Sequence, residues 1–214
     1  MRIAEFTAYI VRLGLRKPFQ HATHRRRTSD NILVKCRLDN GIEGWGEGVP
    51  RAYVTGETPH GVVAQLAATD LADHFDRDCE DWNDVIALCS SYQPAVLAPD
   101  PRGCRTNSHV CGVELSILDA FGRLFGEPVS AVTALFEASR SLAAWSDFVR
   151  YSAAVGMSKP RTEIVNALKI RLYGFTHCKV KVGASALRDR GRIQRLRRCL
   201  GRNRDIRVDA NGAW

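Results

Sequence analysis

No apolar run in these 214 residues approaches the ~20 that a helix needs to span a bilayer. The opening stretch MRIAEFTAYIVRLGLRKPF lacks both an uninterrupted apolar core and a small-residue cleavage site. It alternates apolar and polar residues, so it reads as a strand rather than a signal peptide, and the expected location is the cytoplasm. Paired cysteines are missing too. The seven, at positions 36, 79, 89, 104, 111, 178 and 199, include no CxxC. That argues against a disulfide framework or zinc site and for buried free thiols in a reducing compartment. There is no Gly-rich phosphate loop after a first strand. GWGEG at 44–48 contains GxG, but it ends a hairpin strand and opens no helix, so it carries no dinucleotide signal.

What is present is ordinary in bulk: 45% apolar and 25% charged residues, enough chain for one or two domains with a hydrophobic core. The net charge of +8 is unevenly spread. Residues 1–140 carry 15 Lys/Arg against 18 Asp/Glu, whereas 141–214 carry 16 against 5, and nine arginines fall between Arg188 and Arg207. Such a run can serve a nucleic acid or phosphate partner. No aromatic residue is interleaved to stack on bases, so a solvated helix face is the favoured reading and nucleic acid is not expected as a partner.

Two grammars divide the chain near residue 140. The first, 1–140, reads α+β. Strands are expected over 2–13, Asn31–Leu38 and Ile42–Glu47, the last two joined by an Asp39-Asn40-Gly41 turn. The polar, basic PFQHATHRRRTSD and the Pro/Gly-punctuated VPRAYVTGETPHG read as loops. Helices are expected over 60–75, 81–92 and Ser108–Phe125, the last stopped by Gly126-Glu127-Pro128. The second part, 141–214, reads β-α-β-α-β: strand Val149–Val155, helix 158–173, strand His177–Val182, helix Ser185–Leu200, strand Asp205–Asp209. That order belongs to a parallel sheet with right-handed crossovers. Tyr151, Lys179 and Arg207 recur every 28 residues, about the repeat of a (β/α)8 barrel; a doubly wound nucleotide-binding sheet also fits the spacing.

Lys179-Val180-Lys181 places two lysines on one face of a strand and the valines on the other. Two ammonium groups side by side in a restricted interior repel, and burial disfavours their charge. Both effects favour the neutral amine of a general base. An exposed edge strand guarded by lysines is the bland alternative. Asp209 stands 28 residues after Lys181, at the C-terminal end of the next strand, where barrel active sites form and where a carboxylate can hold Mg²⁺. A helix-capping aspartate is the alternative there.

KVKVG followed one unit later by RVDANGAW resembles the enolase superfamily, and in particular its mandelate racemase and muconate lactonizing enzyme group. The PF loop, DNGIEGWGEGVP, YVTGET and the helix VELSILDAFGRLFGEPV resemble that group's capping domain, so the likeness runs over essentially the whole chain. KxK and VTGET look most like the lysine-using branch of dipeptide epimerases, muconate cycloisomerases and o-succinylbenzoate synthases.

The resemblance implies an α/β protein: an α+β capping domain (1–140) followed by the first three strands of a (β/α)7β barrel (141–214). It implies abstraction of the proton next to the carboxylate of a small substrate, through an enediolate stabilised on Mg²⁺. Enolase-superfamily sites are a standard example of a lysine or histidine base working with magnesium. By position, Lys181 matches the general base and Lys179 its partner near the substrate carboxylate; Asp209 matches a metal ligand, with Asn211 one layer further out. His21, Arg25, Tyr53 and Thr55 fall in the stretches that match the substrate-covering loops. The full-length family is expected to form homo-oligomers. Closing a barrel from three strands needs on the order of 140 further residues. The chain as given is therefore expected to be an inactive, C-terminally truncated fragment, or one half completed by a separately encoded C-terminal half. A non-catalytic remnant that binds through its arginine-rich helix is the rival reading.

Overall fold

The computed structural model describes residues 1–20, 24–100, 103–140, 146, 148–183, 185–210 and 213. They form two compact units, residues 1–14 with 28–145 and residues 15–27 with 146–214. The stretch 15–27 thus groups with the second unit, unlike in the expected division at residue 140.

A three-stranded sheet runs in the order β1 (Ile3–Gln20), β2 (Arg25–Leu38), β3 (Glu43–Gly48); residues 15–20 of β1 and 25–27 of β2 group with the second unit and the rest with the first. Both β1 and β2 are longer than expected, and most of PFQHATHRRRTSD is strand rather than loop. Interactions between the two strands explain the extension. Arg12 donates to Asp30 (2.7 Å), and the Arg26 guanidinium lies 5.3 Å from the centre of the Phe19 ring. The Asp39–Gly41 turn forms as expected, with Gly41 at φ +86° donating to the Leu38 carbonyl.

Helices α1 (Pro59–Ala68), α2 (Leu71–Phe75), α3 (Trp82–Ser91) and α4 (Asn107–Phe125) follow, then a 3-10 turn over Val129–Ala134 and a short α5 (Glu137–Arg140). The single helix expected over 60–75 is broken at Thr69. Its hydroxyl donates to the Gln65 carbonyl and accepts from Ala95 N–H, which turns the chain out of the helix.

Helix α4 lies directly on β3, through small residues on both elements. A Cβ added to Gly44, Gly46 or Gly48 would stand 2.1 Å from Ala120 N, Gly112 O and Ser108 O, respectively. Opposite these glycines, in antiparallel register, β2 places Cys36, Val34 and Ile32. The glycine strand admits the helix backbone, and the apolar row beside it packs against Val113, Ile117 and Phe121 of α4. Alternation along β3 is thus between glycine in the core and Glu43, Trp45 and Glu47 outside.

In the second unit β4 (Ser152–Val155), α6 (Pro160–Leu172), β5 (His177–Lys181), α7 (Ala186–Leu200) and β6 (Asp205–Asp209) form a parallel sheet in the order β4-β5-β6. Cys178 and Val180 of β5 face a core built with Ala167 and Ile170 of α6 and with Leu196 and Leu200 of α7. The 28-residue repeat holds between β5 and β6, where Lys179 pairs with Arg207 and Lys181 with Asp209. It fails one unit earlier: Lys179 pairs with Ala154, and Tyr151 stands before the strand, 84% exposed. Val165, Leu168 and Leu172 of α6 and Val208 of β6 remain exposed, as an open three-stranded segment leaves them.

All seven cysteines are free. Burial pushes the Cys36 and Cys89 thiols up to about 12, so they behave as protonated core residues. Among the described residues no helix is long and apolar enough to cross a membrane.

Candidate active site

Alternation along β5 decides which side chains can meet. With Cys178 and Val180 turned into the helical core, Lys179 and Lys181 must leave by the opposite face. Parallel register then sets Asp209, the last residue of β6, directly beside Lys181. Lys181 Nζ donates to Asp209 Oδ2 at 2.6 Å, and Lys179 Nζ lies 3.3 Å from the same oxygen. Lys181 and Asp209 are partly sheltered, with side chains 17% and 25% exposed, whereas Lys179 is more open at 44%.

The structure thus brings together three of the sequence-predicted residues at the C-terminal end of the sheet. It also changes the expected electrostatics. The two ammonium groups do not face each other across an uncompensated gap; one carboxylate stands against both and offsets their repulsion.

Asp209 offers hard oxygen ligands, but Mg²⁺ wants six, arranged as an octahedron. Among the described residues no three His, Cys, Asp or Glu side chains are placed to hold a metal ion. The described residues therefore do not make a magnesium site by themselves.

The other expected site residues fall elsewhere. His21 and Asn211 lie outside the described residues. Arg25 begins β2, on strand rather than loop, with its side chain exposed. Tyr53 and Thr55 are half-buried in a turn of the first unit, where the Arg51 carbonyl accepts from Val54 N, Thr55 N and Thr55 Oγ1.

Two residues of the first unit went unread in the sequence. Arg51 forks into the loop and β2, donating to the carbonyls of Asp30 and Pro50, to Ser29 Oγ and to Asn31 Oδ1. Asn31 in turn donates to Glu47. Glu57, inside VTGET, is 4% exposed and turns inward: it accepts from Ser108 N at 2.8 Å and from Ser108 Oγ at 2.5 Å. It satisfies the start of α4, so part of this stretch holds the fold together rather than facing a ligand. No short-range signal links residues 57 and 108.

The arginine run is also partly structural. Arg192 and Arg195 pair with Glu163, and Arg197 and Arg204 donate to backbone carbonyls around the end of α7. Arg188, Arg190, Arg198, Arg202 and Arg207 remain exposed.

Against this geometry, the comparisons with known proteins agree. No family model matches the chain. The hydrophobic dipeptide epimerase of Enterococcus faecalis is 23% identical over all of this chain and 55% of its own length. A solved mandelate racemase/muconate lactonizing protein from Herpetosiphon aurantiacus superposes with a TM-score of 0.76 at 23% identity, covering all of this chain and 54% of that one. Its relatives are enolase-superfamily enzymes of the mandelate racemase/muconate lactonizing group. A dipeptide epimerase of that group from Methylococcus capsulatus, solved with Mg and the dipeptide L-Arg-D-Lys, gives a TM-score of 0.70 at 21% identity, over all of this chain and 55% of its own. The fold is that of the group's capping domain followed by part of its barrel. The chain spans about half the length of the relatives it matches.

Proposed function

We propose that this chain supplies the capping domain and the lysine-bearing part of an isomerase that removes the proton next to a carboxylate: a racemase or epimerase, or a cycloisomerase, with dipeptide epimerisation the preferred form. The observation that carries the reading is the convergence of Lys179 and Lys181 on Asp209 at the C-terminal end of the parallel strands. In this reading Lys181 takes the α-proton. Lys179, more exposed, holds the substrate carboxylate by charge, and Asp209 keeps both lysines in one place. Arg25, Tyr53 and Thr55, with His21, contribute to substrate choice.

Mg²⁺, the cofactor the resemblance implies, needs oxygen ligands beyond those described; Asp209 would be one donor to it, with Asn211 behind. The active protein therefore includes the remaining β/α units, on the same polypeptide or as a separately encoded half, and by itself this stretch is inactive. The free cysteines support a reducing, cytoplasmic setting.

The test is exchange of the substrate α-proton. The protein carrying the remaining barrel units is incubated in D₂O with Mg²⁺ and a panel of dipeptides, and loss of the α-proton signal is followed by NMR. Exchange that Lys181→Ala abolishes is the expected result. Exchange that survives Lys181→Ala removes Lys181 as the base and overturns the reading.

A further inference from the structure

Lys181 ends β5, and the two residues after it are tied down one by one. Val182 N donates to the Asp209 carbonyl at 2.9 Å, so the backbone leaving β5 is bonded to the same residue that receives the Lys181 ammonium. Gly183 follows at φ +111°, a conformation that strains any residue with a Cβ, and turns the chain out of the strand. Its N–H donates to Asp189 Oδ2, at 2.9 Å. Residues 181 and 182 are thus held on Asp209, and residue 183 on Asp189.

Helix α7 does not need Asp189 as its cap. Ser185 fills that place, its hydroxyl accepting from Arg188 N. The Asp189 carboxylate stands one turn into the helix and is only 3% exposed. Burying a charged group is costly unless it is hydrogen-bonded, and the bond this carboxylate makes is the one to Gly183 N. The helix that carries it is itself fixed. Arg192, three residues on and on the same face, donates through Nη2 to the Gly156 carbonyl at 2.7 Å and through Nε to Glu163 at 2.6 Å. Gly156 leaves β4 directly after Val155, the partner of Val180 in the sheet. One face of α7 therefore holds the chain both where it leaves β4 and where it leaves β5.

We propose that Asp189 is a positioning residue: from α7 it holds Gly183, and through Gly183 it keeps the end of β5 where Lys181 meets Asp209. Its part in proton transfer rests on the isomerase reading above; its hold on the strand end does not. Two substitutions separate the hydrogen bond from the charge. Asp189→Ala removes the acceptor, whereas Asp189→Asn keeps an oxygen that accepts from Gly183 N and removes only the charge.

The first experiment is amide hydrogen exchange on the full chain, followed residue by residue by NMR. In Asp189→Ala the Gly183 and Val182 amides are both expected to exchange at least about tenfold faster than in the parent, while Val180, inside the strand, changes less than about threefold. Asp189→Asn is expected to bring both amides back to within about threefold of the parent. A Val182 amide that keeps the parent's rate while Gly183 speeds up means that the bond only closes the start of α7, and overturns the proposal. So does an equal acceleration of every β5 amide, which marks a general loss of stability, and so does an Asp189→Asn variant no closer to the parent than Asp189→Ala. If Asp189→Ala does not fold, the parent decides. Its Gly183 and Val182 amides are expected to exchange slowly and with one shared dependence on urea, and a Gly183 amide that exchanges like that of an unfolded peptide overturns the proposal.

The second experiment reads turnover in the protein that carries further barrel units, as α-proton exchange of dipeptides in D₂O with Mg²⁺. Asp189→Ala is expected to lower kcat by roughly 10²-fold, the scale of a displaced reacting group, with KM within about twofold of the parent. Asp189→Asn is expected to restore most of the loss. A raised KM with kcat unchanged marks a hold on substrate instead, and overturns positioning. No exchange in the parent overturns the isomerase reading alone, and amide exchange then judges the hold on the strand end.

Discussion

Lys181 Nζ lies 2.6 Å from Asp209 Oδ2, across one parallel strand pair and 28 residues of sequence. Both groups keep some contact with water, which limits what the pair adds to stability. Lys181→Met is therefore expected to change unfolding free energy by no more than about 1 kcal/mol. If the proposed reading holds, the same change, made in a protein that carries further barrel units, is expected to lower α-proton exchange by roughly 10³-fold, the scale of a lost general base. Chemical denaturation and NMR exchange, run on the same variant, separate the two effects.

Gly46 tests the contact between helix and sheet. Its added methyl would meet the Gly112 carbonyl oxygen at 2.1 Å, and backbone cannot give way as a flexible side chain can. Gly46→Ala is expected to destabilise by about 2–4 kcal/mol. Gly14→Ala, where nothing lies within 4 Å of the new methyl, is expected to stay within about 0.5 kcal/mol of the parent. Urea midpoints of the two variants give the comparison; equal midpoints would refute the close approach of α4 to β3.

Glu163 anchors α7 to the start of α6. Its carboxylate is 2% exposed and its partner Arg192 10%, with 2.6 Å between them. Glu163→Ala leaves the Arg192 charge buried without its partner, a change that typically costs about 3–5 kcal/mol. The parallel-sheet unit is expected to melt first in that variant. Hydrogen exchange should show β4, β5 and β6 losing protection while β2 and β3 keep theirs.

His109 makes stability depend on pH. It is fully buried in α4 against the Tyr92 hydroxyl, and burial lowers it from 6.5 to about 4. The folded state thus resists a proton that the unfolded chain accepts. This contribution is complete above pH 6.5 and is lost as pH falls through about 4, at up to ~1.4 kcal/mol per pH unit. Glu114 works in the opposite sense, since burial raises its carboxyl. Urea midpoints measured from pH 7 to pH 4 in the parent and in His109→Gln isolate the histidine; the variant's profile is expected to be the flatter.

Much of the fold was legible because its signals are local. Turn chemistry marked Asp39–Gly41, glycine stopped α4 at Gly126, and the change from α+β to β-α-β grammar marked where the parallel sheet begins. The strand ribbon hidden in PFQHATHRRRTSD was not legible. Its polar, basic composition is that of a loop, and only contacts such as that of Asp30 with Arg12 tie it to the neighbouring strand. The break at Thr69 depends on Ala95, the cap of α4 on Glu57, and the burial of Arg192 on Glu163. Each of those partners lies more than 25 residues away.

The candidate site divides along the same line. Period-two alternation determined in the sequence alone that Lys179 and Lys181 share a face, and the β-α-β order determined that Asp209 ends the neighbouring strand. Only the tertiary structure decided that the two ammonium groups close on one carboxylate oxygen, because that depends on the register between β5 and β6. With that register goes the packing of Leu196 and Leu200 of α7 in one core with Cys178 and Val180, a contact between residues that no local pattern joins.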